Sequence, residues 1–428
     1  MKKFLSIALA SALILSMSAC TSTSESTPAD TSSAASDAAL ESSDTSSEVI
    51  EEIPYQLGGE LTPTMIANSR YNEGNKARLA KVIKKLDAGE DVTVAYLGGS
   101  ITQGSSAGND LCYARLTTNW LSEKFPSAKI TYVNAGIGAT GSYIGVHRCD
   151  DHVLSHDPDL VFIDFSVNDT SDRTATNKST YESLLRKIWS YETAPAIVTI
   201  AMTQDNGTSF QEHHGEIVKN YDIPMISYKN AILDVIDKGY IKWTDISDDN
   251  IHPNVPGHAV LTDLITNYLQ SVIDEVDSID TTEPELPVTS ESGMKFQNAK
   301  LYTSANIEPV SYGKFEMKQM NFGNFNDPWI VRSSDGKFGE DSGIVFEVEA
   351  MNIGILYGKL TSNGGMADIY VDDKLITTIN ADFTNGWGNY VEYAEICSFM
   401  TTGTHTIKIV PHDAEDAAAF YLSGLAIS

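Results

Sequence analysis

A serine and a nearby aspartate–histidine pair have the residue types that acyl transfer needs. Ser100 follows two glycines, and Asp249 stands three residues before His252. A serine hydroxyl is a poor nucleophile until a base removes its proton, and a histidine oriented by a carboxylate is suited to do so. We therefore predict a catalytic triad of Ser100, His252 and Asp249. Asp245 and Asp248 lie close in sequence, but only Asp249 has the D-x-x-H spacing.

The same reaction requires hydrogen-bond donors for the oxyanion of the tetrahedral intermediate. We predict three donors: the backbone N–H groups of Ser100 and Gly136 and the side-chain amide of Asn168. We expect a glycine to be needed at position 136, because the absence of a side chain would let the substrate approach the N–H. Trp243 is predicted either to form a wall of the substrate pocket or to fill the core.

Short apolar runs alternate with amphipathic helical patterns, which predicts a parallel sheet covered by helices on both faces. The predicted strands are 91–97, 130–133, 160–167, 196–201 and 224–227. The predicted helices are about 76–88, 110–124, 143–154, 178–191 and 210–221, with two more beginning at 229 and 257. Active sites of such sheets lie at the carboxyl ends of the strands. Ser100, Gly136 and Asn168 all follow strands, which supports the predicted site.

Four sequence blocks in this order and spacing resemble the SGNH or GDSL hydrolase superfamily, in the branch whose first block reads GGSIT. The blocks are Gly98-Gly99-Ser100-Ile101-Thr102, Asn134-Ala135-Gly136, Asn168-Asp169 and Asp249-Asn250-Ile251-His252-Pro253. The resemblance covers about residues 90–270. It implies a flavodoxin-like three-layer α/β/α domain, serine esterase chemistry and the same triad roles. We predict neither a cofactor nor a metal.

Residues 294–428 carry short alternating runs typical of an antiparallel, jelly-roll-like β-sandwich. The runs are 344–348, 353–356, 367–371, 375–379, 404–410 and 420–427, with Asp372-Asp373 as a hairpin turn. This part looks like the carbohydrate-binding sandwiches appended to polysaccharide esterases. Trp387 and Trp329 are predicted either to stack on sugars or to pack within the sandwich. The sandwich would either bind glycan independently, leaving a first domain that works alone on soluble esters, or complete the pocket.

The N-terminal segment reads as an export signal, with two lysines, an apolar run over 4–15 and small residues up to Cys20. Met17-Ser18-Ala19-Cys20 resembles a bacterial lipobox, which implies a signal peptide of 1–19 and a lipidated Cys20 on the outer face of the membrane. The alternative is a plain secretory signal. Residues 20–52, rich in serine, threonine and acids, are predicted to be a flexible tether. The remaining boundaries are a hydrolase domain at 53–276, a linker at 277–293 and the sandwich.

Composition excludes several classes of protein. Lys and Arg total 29 against 58 Asp and Glu, a net charge of −29, so a nucleic-acid partner is not expected. The three cysteines after Cys20 do not form a disulfide scaffold. Cys149, His152 and His156 could ligate a metal, but the end of a helix is the favoured interpretation. His258 is predicted to be structural.

The sequence thus predicts a surface-anchored serine esterase that hydrolyses small acyl esters, above all O-acetyl groups on polysaccharide. Two alternatives stay open. One is a lipase or thioesterase acting on longer acyl chains, and the other is a non-catalytic glycan-binding lipoprotein.

Overall fold

The computed structural model describes residues 53–289, 294–413 and 418–428. The predicted signal peptide, the lipidation site at Cys20 and the whole of the predicted tether lie outside the described residues, as do positions 290–293 of the linker. Within the described ranges, no helix combines the length and the apolar character needed to cross a membrane.

The first half of the chain contains a mostly parallel sheet. Its strands are β1 (Arg70–Asn72), β2 (Val92–Gly98), β3 (Ile130–Gly136), β4 (Leu160–Asp164), β5 (Ala196–Ala201) and β6 (Met225–Ser227). Their order among the described residues is β1-β6-β5-β4-β2-β3, with only β1 antiparallel to its neighbour. Strands β4 and β5 are buried throughout, as expected for a sheet covered on both faces.

Helices cover both faces of this sheet. They are α1 (Pro63–Ser69), α2 (Ala77–Asp87), α3 (Ser100–Gln103), α4 (Tyr113–Lys124), α5 (Ser142–His152), α6 (Thr174–Trp189), α7 (Gln211–Asn220), α8 (Tyr228–Asp237), α9 (Trp243–Ile246) and α10 (Val255–Glu275). One apolar cluster joins the sheet to α2, α4, α8 and α10. A second joins the opposite face to α5, α6 and α7. The predicted three-layer α/β/α arrangement is therefore confirmed.

Two strand boundaries differ from prediction. The strand predicted at 160–167 ends at Asp164, whose carboxylate oxygen accepts hydrogen bonds from the N–H and the hydroxyl of Ser166 at 3.1 and 2.8 Å. This local bonding ends the strand, although Phe165 and Val167 continue the apolar pattern. The strand predicted at 130–133 continues to Gly136 because it pairs with β2 along its whole length.

The second half of the chain is an antiparallel β-domain, as predicted. Its strands are β7 (Lys300–Tyr302), β8 (Glu316–Met317), β9 (Asn321–Phe322), β10 (Phe325–Asn326), β11 (Trp329–Arg332), β12 (Ile344–Lys359), β13 (Met366–Val371), β14 (Lys374–Asn380), β15 (Tyr390–Pro411) and β16 (Ala419–Ile427). In the described residues, the main sheet runs β14-β13-β15-β12-β16-β11-β8, with β7 on β16. The predicted hairpin at Asp372-Asp373 joins β13 to β14, and both residues have positive φ. The runs predicted at 344–348 and 353–356 form one strand, because a β-bulge after Ala350 interrupts the alternation without a turn.

The α/β half and the β-domain share an apolar core. Tyr143 of α5 stacks on Tyr393 of β15, with ring centroids 4.0 Å apart and ring planes 9° apart. Phe296 and Leu356 of the β-domain are buried in the cluster that contains α5 and α6. Residues Ile53–Ser428 accordingly form one compact unit.

The described part of the predicted linker lies along the α/β half. Glu283 forms ion pairs with Arg78 and Lys81, at 2.6 and 2.8 Å. The Pro287 carbonyl accepts a hydrogen bond from Arg186 at 2.7 Å. These contacts fix the path of the chain between the two halves.

Candidate active site

Three strand ends meet beside Ser100. Gly98, the last residue of β2, is paired with Gly136 of β3 on one side and with Asp164 of β4 on the other. After Gly99 the chain begins α3 at Ser100. The serine therefore stands at the carboxyl edge of the sheet, where the sequence placed it.

The structure brings the three predicted triad residues together. Ser100 Oγ lies 2.8 Å from His252 Nε2, and His252 Nδ1 lies 2.7 Å from Asp249 Oδ2. With the proton on Nδ1, the ring donates to Asp249 and leaves Nε2 able to accept the serine proton. This arrangement can deprotonate Ser100 as it attacks an electrophile.

The carboxylate of Asp249 is held in its charged form. Partial burial raises its pKa, but hydrogen bonds from the His252 ring and from the backbone N–H groups of His252 and Ile251 outweigh burial and leave the pKa below its ordinary value. A charged Asp249 both fixes the ring orientation and stabilises the imidazolium that forms during proton transfer.

The loop carrying this pair is anchored by polar contacts. The indole N–H of Trp243 donates to the Asp249 carbonyl at 2.6 Å, and the Ser247 hydroxyl lies 2.6 Å from the His252 carbonyl. Trp243 thus acts on the loop through a hydrogen bond, while its partly buried ring packs on the core. Sequence reasoning missed Ser247, because its role depends on backbone carbonyls that only the folded loop brings together.

The neighbouring acids do not compete with Asp249. The carboxylate of Asp245 accepts a hydrogen bond from the Lys242 N–H at the start of α9, at 2.8 Å. Asp248 Oδ1 lies 3.4 Å from the side-chain nitrogen of Asn254. His258 is fully buried, and its Nδ1 accepts from the Tyr113 N–H at 3.1 Å; burial lowers its pKa to about 4. His258 therefore has a structural contact, as predicted.

Asn168 lies against the turn that carries the serine. A side chain on Gly99 would collide with the Asn168 side-chain oxygen, so the two residues are in direct contact beside Ser100. The next residue, Asp169, is buried, and its carboxylate accepts from the Ser142 N–H at 2.8 Å and lies 2.9 Å from His214 Nε2. These bonds tie the Asn168 loop to the first residue of α5.

The structure corrects the prediction for Gly136. Its N–H donates to the Asn134 side chain at 2.9 Å, and a side chain on Gly136 would collide with the backbone nitrogen of Gln103. The absence of a side chain thus permits close packing on α3 and does not open a path for substrate. The Gly136 N–H is already used and is not available to an oxyanion.

The following loop is better placed beside the nucleophile. A side chain on Gly138 would lie 3.8 Å from Ser100 Cβ, and the Gly138 N–H donates to Gln103 at 2.8 Å. Ala139 has a φ of 59°, which is uncommon for a residue with a side chain. No acceptor for the Ala139 N–H occurs in the described part of the chain. Sequence reasoning missed this residue because it looked for a glycine.

The two tryptophans of the β-domain have different environments. Trp329 is 1% exposed and packs edge-on against Phe346 in the core of the β-domain, so the sugar-stacking alternative for Trp329 is wrong. Trp387 is 72% exposed. Its ring stacks on Tyr390, with centroids 4.8 Å apart, and Phe383 meets it edge-on at 5.9 Å. Exposed Trp387 and the partly buried rings of Phe383 and Tyr390 form an aromatic platform at the start of β15.

The residues considered for a metal do not form a ligand set. Burial raises the pKa of the Cys149 thiol to about 12, and burial with the neighbouring Arg148 lowers the pKa of His152 to about 4. Helix α5 ends at His152, and His156 lies in the 3₁₀ turn that follows. In the described residues, no group of three His, Cys, Asp or Glu side chains could hold a metal ion.

Comparisons with known proteins show which proteins this chain resembles. The model of the GDSL-like Lipase/Acylhydrolase family matches residues 96–260. Two crystal structures of a two-domain esterase (CEX) active on acetylated mannans, one co-crystallized with mannopentaose, are 32% identical to this chain. They cover 85% of this chain and 98% of their own, with TM-scores of 0.76 and 0.77. Thioesterase 1/protease 1/lysophospholipase L1 of Escherichia coli strain K12 is 22% identical over 187 residues, which are 42% of this chain and 85% of that protein.

Proposed function

Because this chain belongs to the GDSL-like lipase/acylhydrolase family and is a carboxylic ester hydrolase, we propose that it removes O-acetyl groups from polysaccharide through Ser100, His252 and Asp249. The observation that carries the proposal is the continuous relay of two hydrogen bonds, at 2.8 and 2.7 Å, that joins these three side chains.

In the first half of the reaction, Ser100 Oγ attacks the acetyl carbonyl carbon while His252 Nε2 takes the hydroxyl proton. The carbonyl oxygen becomes an oxyanion, for which we assign donors at the Ser100 N–H, the Asn168 amide and, in place of Gly136, the Ala139 N–H. The intermediate then collapses. His252 returns the proton to the departing sugar oxygen, which leaves an acetyl group on Ser100.

In the second half, His252 removes a proton from a water molecule, whose oxygen attacks the acetyl-serine carbonyl carbon. The same donors stabilise the second oxyanion. Collapse of this intermediate breaks the bond to Ser100 Oγ, which takes its proton back from His252. Acetate is released and the free enzyme is restored.

The polysaccharide substrate is proposed from the second half of the chain. The relative that shares both halves at 32% identity is active on acetylated mannans, so acetylated mannan is the first substrate to test. The exposed platform around Trp387 offers an aromatic surface on which a sugar ring can stack. A longer acyl substrate is the second candidate, supported by the similarity to the Escherichia coli thioesterase over 187 residues.

We further propose that the protein is exported and anchored to the outer face of a bacterial membrane through a lipid on Cys20. The support is the sequence of residues 1–20, with its two lysines, apolar run and lipobox-like end. Cys20→Ala should release the protein from the membrane fraction into the medium, and a membrane-bound variant would refute the anchor.

The chemical proposal is tested with p-nitrophenyl acetate, p-nitrophenyl octanoate and acetylated mannan. Ser100→Ala and His252→Ala should each lower kcat by at least about 10³-fold, and the double variant should be hardly slower because the two residues act as a unit. Asp248→Asn is the matched control and should retain activity, because Asp248 does not touch His252. An active Ser100→Ala variant would refute the mechanism, and faster hydrolysis of octanoate than acetate would favour the longer-chain alternative.

A further inference from the structure

A buried arginine lies beneath the candidate oxyanion site. Arg148 of α5 is fully buried, yet no carboxylate of the described chain pairs with it. Isolated buried charges are costly unless they are hydrogen-bonded. An arginine kept in such a place therefore has a role that a neutral apolar side chain would not fill.

The contacts of Arg148 converge on the elements that form the site. Its Nη1 donates to the Ala135 carbonyl at 2.6 Å, and its Nη2 donates to the Gly98 carbonyl at 2.9 Å. Nη2 also lies 3.5 Å from Thr140 Oγ1, and Nη1 lies 3.4 Å from His152 Nδ1. One guanidinium thus joins the ends of β2 and β3 to the loop after Ala139.

From this geometry we propose that Arg148 is a positioning residue for the oxyanion donors and that its charge favours the anionic intermediate. The inference rests on the proposed Ser100 mechanism. By holding the Gly98 and Ala135 carbonyl oxygens, Arg148 keeps their negative ends turned away from the place where negative charge develops. It also fixes the peptide that leads into Gly99 and Ser100, and therefore the direction of the Ser100 N–H.

The proposal predicts a selective effect on the tetrahedral state. Removing a direct oxyanion donor typically lowers kcat by about 10²- to 10³-fold. Arg148 acts through other groups, so Arg148→Met should lower kcat by about 10- to 100-fold with KM within about threefold of wild type, since binding of the neutral ester does not use the charge. Arg148→Lys keeps the charge but loses the two-pronged contact and should fall between wild type and Arg148→Met.

Arg186 provides a matched control. Arg186 lies in the last turn of α6 and is also buried. Its guanidinium donates to the Tyr221 hydroxyl and to the Pro287 carbonyl. Helix α6 begins at Thr174, the end that lies nearer the Asn168 loop in the chain. Arg186 is twelve residues further along the helix, which is about 18 Å at the rise of an α-helix. Arg186→Met should lower the melting temperature and leave kcat for p-nitrophenyl acetate unchanged.

The experiment compares the full chain and its three arginine variants. Reaction with diethyl p-nitrophenyl phosphate first counts the active serines, so that kcat is expressed per reactive site. Inhibition by phenylboronic acid then reports on the tetrahedral state, because the boron bonds to Ser100 Oγ, the serine proton moves to His252 and an anionic adduct forms. Arg148→Met should raise the inhibition constant by the same factor by which it lowers kcat.

Three outcomes would overturn the proposal. The first is a kcat per site for Arg148→Met within twofold of wild type, and the second is a loss of kcat in Arg148→Met without a loss of boronate affinity. The third is an equal loss of kcat in Arg148→Met and Arg186→Met. If Arg148→Met does not fold, Arg148→Lys carries the same test, and wild-type kcat and boronate affinity in that variant would refute the positioning role. Failure of the serine mechanism itself is distinguishable, because wild type would then not be inactivated by the phosphate ester.

Discussion

Gly99→Ala should disable the enzyme by moving Asn168. The backbone of Gly99 has a φ of −89° and a ψ of −148°, a conformation with negative φ that does not require glycine. The obstacle is the Asn168 side-chain oxygen. A methyl group at position 99 would lie 2.1 Å from this oxygen, whereas an ordinary contact is about 3.5 Å. The flexible amide would swing away to relieve this overlap.

A displacement of that size removes the Asn168 amide from hydrogen-bond distance of an oxyanion beside Ser100. Loss of one such donor lowers kcat by about 10²- to 10³-fold, so we expect Gly99→Ala to lose about 10²-fold on p-nitrophenyl acetate. The fold should survive, because the neighbour that must move is the end of a side chain. Gly403→Ala is the control, since Gly403 lies in β15 and an added methyl group would meet only the end of the His405 side chain, at 3.4 Å.

A double-variant cycle separates this mechanism from general damage. Asn168→Ala alone removes the donor and also leaves room for a methyl group at position 99. The double variant Gly99→Ala with Asn168→Ala should therefore be no slower than Asn168→Ala. The reasoning would fail if Gly99→Ala were within threefold of wild type, or if the two losses multiplied in the double variant.

Three further predictions follow from burial and from the β-domain. Burial raises the pKa of Asp164 to about 6 despite hydrogen bonds from Ser166. The folded state therefore holds this proton more tightly than the unfolded state does. The free energy of unfolding should fall by about 3 kcal/mol as pH rises from about 4 to above 6. Asp164→Asn should remove that part of the pH dependence of the melting temperature, and parallel profiles from pH 4 to 8 would contradict it. Trp387→Ala should lower kcat/KM on acetylated mannan about tenfold relative to kcat/KM on p-nitrophenyl acetate, because the loss of one aromatic contact changes binding by about that factor. An unchanged ratio would exclude the platform from glycan binding. A chain truncated after Asp280 should be insoluble or lack a cooperative thermal transition, because it exposes the apolar surface that packs on Tyr393; a folded, active truncated chain would show that the first half is independent.

The sequence was sufficient to predict which three side chains meet at the candidate triad, because the decisive information is local. The Asp249–His252 spacing lies within one short loop, and Ser100 is set by the end of one strand, so neither depends on distant side chains. The candidate oxyanion donors were harder to predict. Whether the Gly136 N–H is free depends on the Asn134 side chain, and the approach of Gly138 to Ser100 depends on loop packing that periodicity does not reveal.

The β-domain shows the same limit. Trp329 and Trp387 both follow turn-forming residues, and the pairing of β11 decides that Trp329 faces the core. The bulge after Ala350 likewise depends on the two partners of β12, since the residues there read as an ordinary break between strands.

Contacts between the two halves bear directly on the candidate site. The segment that begins with Asn168 is held at one side by Asp169, which bonds the first N–H of α5, and at the other by Arg173. The Arg173 guanidinium lies 4.4 Å from the ring centroid of Tyr393, the same ring that stacks on Tyr143 of α5. Strand β15 thus packs against both anchors of the Asn168 loop, while its first residue, Tyr390, supports the exposed Trp387. Glycan binding and completion of the site are therefore compatible roles for this part of the β-domain, because buried Tyr393 packs beside the Asn168 loop while Trp387, just before β15, remains exposed.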